Sequence, residues 1–108
     1  MTLDDYQTSA VRTANPGLSD TERLLDAAAG LAEEAGEVLG LVRKHAYQSR
    51  ALDRDQLTLE LGDALWCLSM TAKCAGLTLE DVAAANVAKL RARYPAGYSD
   101  DASREHRA

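Results

Sequence analysis

Apolar and polar positions recur at helical spacing through most of the chain. Leu24, Ala28, Leu31, Ala35, Val38, Leu39 and Val42 fall on one side of a helix turning about 100° per residue, as do Leu57, Leu61, Ala64, Leu68, Ala72 and Ala75. No alternating pattern competes as a strand, so the fold class is all-α. Capping signals divide the chain. Thr2 with Asp5 loosely resembles a capping box and opens a first helix, which stops before Asn15-Pro16-Gly17. Ser19 with Glu22 is a better box and opens the longest segment, running to about Tyr47. Asp53 with Gln56 opens a third helix that Gly76 stops, and Thr78 with Asp81 opens a fourth that Pro95 ends. This predicts a helical unit over residues 1–95 and a polar, loosely packing tail over 96–108.

Small residues on the second helix, Ala27 to Gly30, Gly36 and Gly40, would let neighbouring helices approach closely. The apolar arc of the third helix is too wide for one neighbour to cover, which predicts a bundle completed by a second copy. Length points the same way, because 108 residues make one domain that buries only a modest part of its surface. The formal net charge of −5 argues against a general nucleic-acid binder, which needs clustered cations. An anionic nucleotide remains an acceptable ligand if a divalent cation lies between the two negative partners. Cys67 and Cys74 lie near one face of a helix and read as small buried residues, with neither zinc spacing nor a disulfide framework. The acidic N-terminus does not look like a signal peptide, and no apolar run is long enough to span a membrane. A cytoplasmic, reduced protein is the expectation.

The chemistry lies in Glu33, Glu34 and Glu37 on the second helix and in Glu60 and Asp63 on the third. Residues three apart project to one side of a helix, so Glu34/Glu37 and Glu60/Asp63 each form a pair. Glu34 falls inside the apolar arc and Glu37 at its edge. Glu60 and Asp63 lie among Leu57, Ala64, Cys67 and Cys74. An isolated pair of this kind usually faces water, but two pairs that interrupt packing faces carry a desolvation cost that a cation offsets. Oxygen-only ligands suit Mg²⁺, Mn²⁺ or Ca²⁺. A di-iron centre would want Glu-x-x-His, and neither His45 nor His106 is so placed.

Glu33-Glu34-x-x-Glu37, followed after residues 38–59 by Glu60-x-x-Asp63, resembles the signature of the MazG-like all-α nucleoside triphosphate pyrophosphohydrolases. The surrounding Gly30-Leu31-Ala32-Glu33-Glu34-Ala35-Gly36-Glu37-Val38 and Glu60-Leu61-Gly62-Asp63-Ala64-Leu65-Trp66 agree. So do Asn86-Val87-Ala88-Lys89, the Arg93-Tyr94-Pro95 that follows, and the opening Tyr6-Gln7 with Arg12-Thr13-Ala14. The resemblance covers nearly the whole chain. It implies a four-helix MazG-like bundle completed by oligomerisation, as a dimer or tetramer, with residues 1–95 as the catalytic domain. The implied reaction is Mg²⁺-dependent, with Mn²⁺ able to substitute, and converts an NTP or dNTP to the monophosphate and pyrophosphate in nucleotide-pool housecleaning. Glu34, Glu37, Glu60 and Asp63 would be the metal ligands, with Glu33 orienting or deprotonating the attacking water.

The same resemblance implies that Asn86, Lys89 and Arg93, spaced along one stripe of the fourth helix, reach the phosphates or sugar, Lys89 in a catalytic capacity. Cations favoured near a helix C-terminus are the alternative for Lys89 and Arg93, and a solvated Glu is the alternative for Glu33, which a helical count puts on the outer side. Trp66 lies on the polar side of the third helix, suited to a subunit interface or to stacking on a base. Lys44 and His45 read as surface residues, with phosphate contact as the alternative for Lys44. One departure is visible: Ser103 is followed by His106 and then Arg107 where the family often has Ser-x-x-Arg. Two non-enzymatic readings stay open, a helical module that binds nucleotide and Mg²⁺ without turnover and a structural helical dimer. Nucleic-acid polymers and membranes are not expected partners.

Overall fold

The computed structural model describes residues 1–105 and is all-α, with no strand among them. The helices are α1 (Leu3–Val11), α2 (Asp20–Tyr47), α3 (Arg54–Cys74), α4 (Leu79–Arg93) and α5 (Asp100–Glu105). The first four begin where the sequence places their caps. Thr2 with Asp5 and Ser19 with Glu22 form complete capping boxes, while the Asp53 and Thr78 side chains accept the backbone N–H of Gln56 and Asp81. The third helix ends in a Schellman turn. Gly76 adopts φ +74°, and Leu77 N donates to Ala72 O at 2.8 Å, a conformation a side chain at position 76 would strain.

α2 and α3 form an antiparallel hairpin, and α1 crosses α3 and meets the start of α4. Ala10, Ala27, Cys67, Met70, Ala72 and Leu79 make a small buried core at this junction. Gln7 is buried with them and is well satisfied. Its Nε2 donates to the carbonyls of Ser69 (3.3 Å) and Leu77 (3.1 Å), and its Oε1 accepts from Leu79 N (3.0 Å). One amide thereby fastens three helices, and removing it would strand buried backbone groups.

The remaining apolar faces lack cover within the chain. Leu39 is 56% exposed and Leu61 51%, although both lie on arcs whose patterning calls for burial. The accessible surface is 8002 Å², against about 5800 Å² for a compact monomer of this mass. The radius of gyration is 16.8 Å, against about 13 Å for a compact chain of this length. Beyond Pro95 the chain turns at Gly97 (φ +86°), and Asp100–Glu105 forms α5, no residue of which is buried. His106 and Arg107, where the sequence departs from the family pattern, lie outside the described residues.

Candidate metal centre

The centre lies one turn from a close contact between α2 and α3. A Cβ built on Gly30 would lie 2.9 Å from Cys67 Sγ, so the glycine lets the two helices touch there. Glu34 is one turn beyond Gly30, and Asp63 is one turn before Cys67, with Glu60 a turn earlier still. The antiparallel pairing therefore brings Glu34 opposite Asp63 and Glu60. One carboxylate oxygen from each lies within 4.8 Å of the other two.

Such proximity is electrostatically unfavourable without a cation. Glu34 is half-buried, and its pKa is raised above the ordinary carboxylate value. Desolvation is the largest cause, followed by a proton-requiring hydrogen bond with Glu60 and the charges of Asp63, Glu60 and Glu37. Burial and the charges of Asp63 and Cys67 also raise the Tyr6 phenol, and burial and the charge of Glu34 raise the Cys67 thiol. Three clustered carboxylates, with no nitrogen or sulfur ligand in the set, suit a hard divalent cation.

Glu37 stands outside the three-residue cluster but close enough for its charge to act on Glu34. It lines an adjoining open groove of about 530 Å³ together with Glu33, Gly36, Gly40, Leu41, Lys44, Gln56 and Glu60. Two expectations change here. Glu33 does not face away from the chemistry, because 33, 36, 37, 40, 41 and 44 form one helical stripe, and the start of α3 runs beside it. Gly36 and Gly40 admit no neighbouring helix of the same chain: nothing lies within 4 Å of a Cβ built on either. Of the small residues singled out, Gly30 and the buried Ala27 are the ones at the helix contact.

Asn86, Lys89 and Arg93 sit on α4, which packs on α1 and α3, and none of them lines the groove. Arg93 lines a cavity beneath the returning C-terminal segment, beside Tyr98 and Asp101. The Trp66 indole N–H donates to Thr13 Oγ1 at 2.8 Å and ties the segment that follows α1 to α3.

Sequence reasoning overlooked Gln56, whose Nε2 donates to Glu60 Oε1 at 2.8 Å and orients that carboxylate. The four-residue spacing on one helix was the available signal. Tyr6 was noted only within a motif. Its place beside Asp63 follows from the α1–α3 crossing, which no local pattern announces.

Fold and site together define an all-α protein with an oxygen-only acidic centre between two antiparallel helices. Residues 23–98 match the MazG nucleotide pyrophosphohydrolase domain, and the chain belongs to that family. It is also similar to the Gene 37 protein of Mycobacterium phage L5, with 34% identity over 105 residues that cover 90% of this chain and 92% of the phage protein. No solved structure gives a significant match. Among the described residues, no helix is long and apolar enough to cross a membrane.

Proposed function

We propose that the protein is a Mg²⁺-dependent nucleotide pyrophosphohydrolase, which converts an NTP or dNTP to the monophosphate and pyrophosphate. The observation that carries this reading is the approach of Glu34, Glu60 and Asp63 within 4.8 Å in a chain of the MazG family. Glu34, Glu37, Glu60 and Asp63 are the residues that would hold Mg²⁺, or Mn²⁺ in its place. When bound, the metal supplies positive charge to grip the phosphates and to offset charge developing at the α-phosphorus. Gln56 holds Glu60 in orientation for that role.

Glu33, exposed and on the groove stripe, orients the attacking water and accepts its proton. The water oxygen bonds to the α-phosphorus as the bond to the bridging oxygen breaks, and pyrophosphate departs. The exposed apolar faces of α2 and α3 favour a homo-oligomer, as a dimer or tetramer. Asn86, Lys89 and Arg93 are proposed to complete the nucleotide site when copies associate, Lys89 stabilising charge on the phosphates. Nucleotide-pool housecleaning in the cytoplasm is the task this activity fits.

Pyrophosphate release from a panel of NTPs, dNTPs and damaged nucleotides, with Mg²⁺ and with EDTA, tests the reading. Mg²⁺-dependent release with a monophosphate as co-product is the expected result. A folded, Mg²⁺-binding protein that releases none would instead be a nucleotide-binding module.

A further inference from the structure

We propose that Lys44 is a positioning residue that holds the departing pyrophosphate portion of the substrate in the groove beside the acidic centre. The inference rests on the hydrolase reading and adds the direction in which the substrate lies. The groove is lined by Glu33, Glu37 and Glu60 at one end and Lys44 at the other. Lys44 is its one cationic side chain among the described residues, and it is exposed. It makes no ion pair there, since the salt bridges among the described residues are Arg23–Asp20 and Arg104–Asp101. A cation left unpaired in a groove with three carboxylates is available for an anion brought from outside.

The geometry gives that anion a track. Lys44 lies two turns beyond Glu37 on the same stripe, about 10 Å along the axis. Side chains on a helix lean toward its N-terminus, so the lysine stem reaches back over the groove toward Glu37. Between them Gly36 and Gly40 present bare backbone, with nothing within 4 Å of a Cβ at either position. Bulky anionic groups fit over that strip, and the bare helix surface offers a planar base little to pack against. The phosphates beyond the reacting one therefore run from the acidic centre toward Lys44, with the nucleoside on the other side.

The test compares the wild type with Lys44→Met, which keeps the stem, and Lys44→Arg, which keeps the charge. Two readouts are taken in Mg²⁺: KM and kcat for a preferred triphosphate, and direct titration with inorganic pyrophosphate. Loss of one charge-assisted contact predicts that Lys44→Met raises KM and weakens pyrophosphate binding by about tenfold to a hundredfold. kcat should change far less, and Lys44→Arg should recover most of the loss. Unchanged KM and pyrophosphate affinity in Lys44→Met would overturn the assignment, as would a fall confined to kcat. A changed oligomeric state on sedimentation would also overturn it, because the groove would then seat a second copy. If the wild type turns over nothing yet binds pyrophosphate through Lys44, the hydrolase reading falls and the phosphate track stands. If wild-type turnover is normal and Lys44→Met behaves identically, the reverse holds.

Discussion

The Gly30–Cys67 contact offers a perturbation whose sign can be worked out beforehand. Gly30→Ala adds one methyl group to the middle of α2. In an open helix position that change stabilises by about 1 kcal/mol, because alanine has less chain entropy to lose. Here the new carbon would lie 2.9 Å from Cys67 Sγ, well inside ordinary contact. Cys67 is only 6% exposed, so its sulfur has little free space to rotate into, and the helices must separate. Overpacking of this kind costs about 1–3 kcal/mol. With the sulfur hemmed in, the upper part of that range applies, leaving a net loss of about 1–2 kcal/mol once propensity is subtracted. For a domain near this size that lowers the melting temperature by about 4–15 °C.

A second substitution makes the argument decisive. In a Cys67→Ala background the clashing sulfur is gone, and the remaining Cys67 Cβ lies 4.0 Å away, an ordinary contact. Gly30→Ala should then stabilise rather than destabilise, so the effect of one mutation changes sign with the other. Thermal melts followed by circular dichroism, on all four proteins without metal, measure the cycle. A Gly30→Ala variant at least as stable as the wild type would refute the close approach. The same displacement acts on Glu34 and Asp63, one turn away on each helix, so Gly30→Ala should also weaken the Mg²⁺ binding proposed for that centre.

Glu37→Gln or Asp63→Asn should reduce turnover at least about a hundredfold with helicity intact, and EDTA should abolish wild-type activity until Mg²⁺ is restored; full activity in either variant would remove that residue from the site. Glu34 supplies a pH test. Its raised pKa means the native state keeps a proton that the unfolded chain gives up, so metal-free stability falls as pH rises from the ordinary carboxylate range through the raised value. Glu34→Gln should flatten that limb and melt no lower than the wild type in EDTA at neutral pH, yet lower in Mg²⁺; a variant less stable in EDTA at every pH would contradict the crowding of carboxylates. Leu61→Glu places a charge on a half-exposed apolar face and should shift the protein toward monomer in sedimentation, whereas a monomeric wild type would refute the proposed assembly.

The elements were legible because their signals are local. Each of the first four helix starts needs only a capping side chain and an N–H three residues away, and Gly76 marks the end of α3 through its own backbone conformation. The pairing of Glu60 with Asp63 was legible for the same reason. What local pattern cannot supply is the register between helices. Gln7 bonds to Ser69, Leu77 and Leu79, far along the chain, and nothing around residue 7 specifies those partners. The placement of α4 away from the groove likewise depends on contacts with α1 and α3 that helical periodicity does not encode.

Register also explains why the two carboxylate pairs are not equivalent. On sequence spacing alone, Glu34/Glu37 and Glu60/Asp63 look like matching halves of one site. With Gly30 seated against Cys67, Glu34 lies opposite the second pair, and Glu37 falls one turn further along, beside the groove. Burial, and then the carboxylates of Glu60 and Asp63 on the neighbouring helix and Glu37 on its own, raise the Glu34 pKa there. Glu37 is left at the boundary between the acidic centre and the bare strip that leads to Lys44. The offset of one helical turn thus divides a single stretch of α2 between the acidic cluster and the groove. Glu34 faces Glu60 and Asp63, and the stripe from Glu33 to Lys44 lies open beside them.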